Sequence, residues 1–115
     1  MRKKNILFIC SKNKLRSPTA EQIYSKRKDL SVLSAGLSND AGYKVSAELI
    51  EWAELIFVME KAHQAKLRKK FKPYLKDQRV IVLEIPDIYD FMEPSLIEEL
   101  SKKLSGYIGA PVLSS

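Results

Sequence analysis

Four short apolar runs punctuate the chain, and the segments between them change to helical spacing. The runs are Lys4–Cys10 (KNILFIC), 30–35 (LSVLSA), 55–59 (LIFVM) and 79–85 (RVIVLEI). Runs this short, apolar on both faces and partly β-branched, read as buried strands of a parallel sheet. After the first run, Ser17-Pro18 supplies a hydroxyl N-cap and a proline at the first helical position, which predicts a helix over 18–28 with Ala20, Ile23 and Tyr24 on one face. Gly36 ends the second strand, and 37–44, containing Asn39, Asp40 and Gly42, is a loop. Ser46 caps a helix reaching about Ala53. Lys61–Phe71 is a basic helix with a sparse apolar stripe, closed by Lys72-Pro73. The stretch 86–93 is a loop rich in acids and aromatics, and Ser95-Leu96-Ile97-Glu98 has the capping-box pattern for a last helix. Leu96, Leu100 and Leu104 give that helix its apolar stripe, and 109–115 reads as a flexible tail of a single domain spanning 1–115.

Strand and helix alternate as βαβαβαβ before a loop and a final helix. This order predicts an α/β fold of three layers, α/β/α, around a four-stranded parallel sheet of the Rossmann or flavodoxin-like kind. Ligands of such sheets bind beyond the carboxyl ends of the strands. Cys10 stands at the carboxyl end of the first strand, so its position alone makes it a candidate.

The 115 residues suit one domain, and no apolar stretch approaches the roughly 20 residues of a membrane span. The apolar run after Met1 is too short for a signal-peptide core, so the expectation is a soluble, cytoplasmic protein without a membrane partner. The chain has a single cysteine, which cannot close an intramolecular disulfide and agrees with a reducing compartment. The net charge of +6 invites a nucleic-acid reading, but zinc-finger spacing and aromatic RNA-binding signatures are missing, so no nucleic-acid partner is expected. A basic surface that attracts small anions fits better.

A thiol attacks only as its thiolate. Several features after Cys10 favour negative charge there. The loop 11–15 can turn backbone N–H groups inward as an anion nest, and the helix starting near Ser17 points its positive end at the same place. Arg16 adds a planar cation whose fork grips two oxygens of a phosphate. The Ser17 hydroxyl is free either to cap the helix or to donate to sulfur. Five residues between Cys10 and Arg16 let the chain curl round a tetrahedral anion.

The run CSKNKLRSPTAEQ resembles the phosphate-binding loop of the low-molecular-weight protein-tyrosine phosphatase family, approximately C-x-G-N-x-C-R-S-P-x-A-E. Cys10, Asn13, Arg16, Ser17, Pro18, Ala20 and Glu21 match it. Ser34-Ala35-Gly36 matches the family's S-A-G, and FVMEKAHQAKL looks like its third strand and following helix. The resemblance spans nearly the whole chain in a shorter version. It implies a cysteine-dependent hydrolase acting on phosphotyrosine-like monoesters through a phosphocysteine, with no metal or cofactor. Cys10 is then the nucleophile. Arg16 and the loop of Ser11, Lys12, Asn13, Lys14, Leu15 and Ser17 bind phosphate, with Asn13 and Ser34 supporting the loop. The general acid falls on Asp87, because Asp87-Ile88-Tyr89 aligns with the family's D-P-Y; Asp90 and Glu93 are rivals. The expected partners are a phosphorylated protein or a small phosphate ester, with phosphate, sulfate or vanadate as site ligands. Phosphoserine and phosphoarginine stay open as substrates.

Lys12 replaces a family glycine and Leu15 a second cysteine, which removes the reversible disulfide that protects the nucleophile in many members. Two other readings compete: a non-catalytic phosphate- or phosphoprotein-binding module, and a cysteine phosphocarrier of the sugar phosphotransferase type, whose loop lacks such an arginine. Elsewhere the bland readings prevail. The lone His63 reads as a helix-border residue, Trp52 as core, and the basic helix as a solvated face that can also recruit acidic partners. Tyr89 and Phe91 either flank an aromatic substrate or pack on the core.

Overall fold

A computed structural model describes residues 3–113. Its order is β1 (Lys4–Cys10), α1 (Arg16–Tyr24), β2 (Leu30–Gly36), α2 (Ala47–Trp52), β3 (Leu55–Val58), α3 (Lys61–Phe71), β4 (Arg79–Val82) and α4 (Pro94–Ile108), with a 3₁₀ turn over Lys72–Tyr74. The four strands form one parallel sheet in the order β2-β1-β3-β4. The chain therefore leaves β1 to one side and later returns to the other, so β1 borders the switch point where such sheets bind ligands.

Side-chain alternation along β1 builds the two outer layers. Ile6, Phe8 and Cys10 join one buried cluster with Ala20, Ile23 and Tyr24 of α1 and Leu96, Leu100 and Leu104 of α4. Leu7 and Ile9 join the other, with Leu49 and Ile50 of α2 and Leu67 of α3. Phe8 stacks on Phe57 with ring centroids 5.6 Å apart, and each such side chain contributes about 1.5–3 kcal/mol through burial. Among the described residues no helix is long and apolar enough to cross a membrane.

Some boundaries differ from the expectations, each for a local reason. Helix α1 runs over Arg16–Tyr24 rather than 18–28, and Ser17 lies inside it instead of capping it. The Ser17 hydroxyl is occupied by Cys10 and Asn13. At the other end the Ser25 hydroxyl takes the Gln22 carbonyl, which competes with further helix. Strand β4 ends at Val82 rather than at residue 85: Glu84 enters the left-handed region (φ 55°), and beyond Val82 the chain keeps only the bonds from Leu83 N–H to Val58 and from Ile85 N–H to Met59. Glu93 occupies the N-cap position of α4 and Pro94 its first turn, so the Ser95–Glu98 box does not form; the proline's fixed φ starts the helix earlier.

The segment 109–113, expected from the sequence to be a tail, makes hydrogen bonds to α1 and the turn after it. Tyr24 Oη donates to the Gly109 carbonyl at 2.8 Å, and Arg27 Nη1 donates to the carbonyls of Ile108 and Ala110, each at 2.7 Å. The Val112 N–H completes the attachment by donating to the Ile23 carbonyl. Ser114 and Ser115 lie outside the described residues.

Candidate active site

Strand β1 ends at Cys10, and the chain must turn at once to enter α1. The turn rests on the end of β2. Leu37 N–H donates to the Cys10 carbonyl, Ser38 N–H to that of Ser11, and Gly42 N–H to that of Lys12. Gly36 makes this approach possible: a Cβ there would lie 2.5 Å from the Ser11 carbonyl oxygen and 2.9 Å from the Asn13 nitrogen. The S-A-G element is thus a steric requirement of the loop above it. Asn13 takes φ 57°, a left-handed conformation that asparagine tolerates better than most residues.

The carbonyls of Cys10, Ser11, Lys12 and Leu15 accept hydrogen bonds, whereas among the described residues the N–H groups from Ser11 to Leu15 donate none within the protein. That pattern, with a left-handed residue inside it, is an anion nest. A cleft of about 340 Å³ opens over it, lined by Cys10, Ser11, Lys12, Lys14, Leu15, Arg16 and Asp87.

Beneath the cleft the polar groups form one chain. Asn13 Nδ2 donates to Ser17 Oγ at 3.1 Å and to Ser34 Oγ at 2.9 Å, and Ser34 donates to Glu21. Because Ser17 Oγ already accepts, its own hydrogen is available to Cys10 Sγ, 2.9 Å away. Glu21, which sequence reasoning matched only as a motif letter, is the end of that chain.

Arg16 is 3 % exposed, and its guanidinium is fixed on one side only. Nη1 donates to Glu60 Oε2 and to the Ile85 carbonyl, both at 2.6 Å. The left-handed Glu84 beyond β4 thus precedes the carbonyl that anchors the arginine. The hydrogen bond from Arg16 holds the Glu60 carboxyl below its ordinary range. On the other side of the guanidinium, Nε faces Asp87 Oδ1 at 3.7 Å.

Sequence reasoning took His63 as a border residue; the structure buries it beneath the loop. Its Nδ1 accepts the Glu60 N–H at 3.1 Å, so the ring proton sits on Nε2, 3.0 Å from Ser11 Oγ, and donates to it. Burial first, and Arg16 second, push the imidazole below its ordinary value, while Glu60 and Asp87 partly oppose this. Glu60 and His63 open α3, and the signal for them was available: an acid and a histidine three residues apart at a strand-to-helix turn.

Of the three candidate acids, only Asp87 lines the cleft. Glu93 instead accepts the Asp90 N–H and marks the start of α4. Lys12, in place of the family glycine, points outward to Asp40 at 3.7 Å and does not crowd the nest. Tyr89 packs against the α1/α4 core, whereas Phe91 is 49 % exposed and outside the cleft.

The family profile described as low molecular weight phosphotyrosine protein phosphatase matches residues 5–66, more than half of the chain, including the nest and the start of α3. The chain belongs to that family. This phosphatase is therefore a cysteine-dependent hydrolase, with Cys10 at the family's cysteine position. Among solved structures it is similar to Wzb of Vibrio vulnificus in complex with benzylphosphonate (20% identity, TM-score 0.73, covering 90% of this chain and 96% of that one). It is also similar to the tyrosine phosphatase Wzb of Escherichia coli K30 in complex with phosphate (21% identity, TM-score 0.72, covering 90% and 95%). The YwlE arginine phosphatase of Geobacillus stearothermophilus is another (23% identity, TM-score 0.64, covering 90% and 94%). At these identities the likeness establishes the shared fold. No curated protein matches the chain.

Proposed function

We propose that the phosphatase hydrolyses aryl phosphate monoesters of the phosphotyrosine type in two displacements at Cys10. In the first, the Cys10 thiolate attacks phosphorus in line. The S–P bond forms as the P–O bond to the leaving group breaks, and Asp87 gives its proton to the departing oxygen. Free phenol titrates near 10, so a phenolate leaves readily only with such a proton. In the second, water attacks the phosphocysteine, Asp87 takes a proton from it, and phosphate departs with the thiolate restored. Arg16 Nε and Nη2 and the nest amides hold the equatorial oxygens, where charge is spread in the transition state. Asn13, Ser34 and His63 act as positioning residues for the loop.

One observation carries the reading: Sγ of Cys10 lies in the cleft with Ser17 Oγ 2.9 Å away, and Arg16 and Asp87 line the same space. The aryl preference is supported by the family description and by the benzylphosphonate bound to the Vibrio vulnificus relative. Dependence on a free thiol suits a reducing compartment, so a cytoplasmic location is part of the proposal.

The test is turnover of p-nitrophenyl phosphate with chelator present. Wild type is expected to hydrolyse it, Cys10→Ser to lose turnover, and Asp87→Asn to lose on the order of 10²–10⁴-fold in kcat, the range for general acids. Vanadate binding without turnover would replace catalysis by a binding module. Phosphocysteine that persists until a partner removes it would point to a phosphocarrier. A strong preference for phosphoarginine would move the substrate toward that of the Geobacillus relative.

A further inference from the structure

The wall of the reaction cleft at Lys12 is shared with a second hollow, of about 530 Å³, between the loop after β2 and the side of α3. Lys12, Lys66 and Lys70 line it against a single acid, Asp40. Asp40 is already engaged by the Ser38 hydroxyl first and by Lys12 second, which hold its carboxyl below the ordinary range.

Lys66 and Lys70 stand four residues apart on α3, a spacing at which like charges repel along a helix. Nothing offsets this locally. Seven Lys or Arg residues and no acid occupy 61–76, and among the described residues neither Lys66 nor Lys70 has an ion pair. Both are exposed and neither packs in the core, so their charge is directed at solvent beside the cleft. A concave surface with one sign of charge concentrates counter-charge within it.

We infer that this hollow is a second anion subsite, which receives carboxylates of acidic residues flanking the phosphorylated residue of a protein substrate. The inference rests on the proposed phosphatase reading, because Lys12 borders both spaces and a chain with its phosphoryl group over Cys10 runs on into the hollow. A nucleic-acid occupant fits less well, since no aromatic side chain lines the hollow to stack on a base.

Peptide capture by the Cys10→Ser protein tests it without needing turnover. Two phosphotyrosine peptides are compared by fluorescence anisotropy in 50 mM salt, one with Asp and Glu flanking the phosphoresidue and one with Ala. The acidic peptide is expected to bind about fivefold tighter, the scale of two exposed ion pairs. The preference should vanish in the Lys66→Ala/Lys70→Ala background and in 0.5 M salt, and grow in Asp40→Asn. In the Cys10 enzyme the same double lysine change should leave kcat/KM for p-nitrophenyl phosphate unaltered, because that ester carries no flanking carboxylate. Equal binding of the two peptides, a preference that survives the lysine changes, or displacement of the acidic peptide by a single-stranded oligonucleotide at lower concentration than by a second acidic peptide would each overturn the subsite. Absence of p-nitrophenyl phosphate turnover in wild type would instead sink the phosphatase reading and leave the capture result to judge the hollow.

Discussion

At the scale of single residues, chemistry was legible where a motif joined residues close in sequence. Cys10, Arg16 and Ser17 could be grouped as candidates because the loop that unites them is continuous. Glu60 and His63 were not, because their partners Arg16 and Ser11 lie 44 and 52 positions away. Such pairings belong to the crossover between β1 and β3, which no local pattern reports. His63 yields a prediction that isolates it. Its folded-state value lies below the ordinary 6.5, so the unfolded chain binds a proton first as pH falls. The associated stability is present above about 6.5 and is lost as pH falls toward the folded-state value, whereas Glu60 enters only below its ordinary 4.5. Urea midpoints at pH 7, 6 and 5 should therefore decline in wild type and stay nearly level in His63→Gln. Since His63 is the chain's only histidine, an unchanged slope in the variant would remove it as the source.

At the scale of elements, the four runs predicted four strands, and Lys61–Phe71 is the helix its spacing implied. The errors cluster at ends, where side chains with a second obligation decide. Ser17, open from the sequence to either a cap or sulfur, lies against sulfur inside the helix; Ser95 looked like a cap and yields to Pro94. The contact between the end of β2 and the loop after β1 gives the prediction at this scale. Gly36→Ala drives a methyl into the Ser11 carbonyl and the Asn13 nitrogen, so the nest must open. The variant should retain its circular dichroism spectrum and lose at least tenfold in kcat/KM for p-nitrophenyl phosphate. A variant with wild-type kinetics would show that the loop does not depend on this approach.

At the scale of the whole molecule, the α/β architecture followed from alternation alone, while the closure of the chain's end did not. The segment 109–113 is too short to show a helix or strand period, yet it is bound to α1 and the turn after it through Tyr24, Arg27 and Ile23. Tyr24 is fully buried, and burial raises its hydroxyl to about 12 against the opposing pull of Arg27. Tyr24→Phe should cost about 1 kcal/mol at neutral pH, the usual worth of such a hydrogen bond. A group raised above its unfolded value stabilises fully below pH 10, and that contribution is lost as pH rises toward 12. The gap between Tyr24→Phe and wild type in denaturant melts should accordingly narrow from pH 9 to pH 11, and a constant gap would contradict this role. The anchoring of Arg16 has a different consequence. Its guanidinium is steadied by the β3–α3 turn and by the carbonyl of Ile85, while the loop beside it leans on β2. A synthetic fragment copying residues 6–22 would own the sulfur and the cation but no receptor for phosphate, since the walls that aim them are supplied by three other strands.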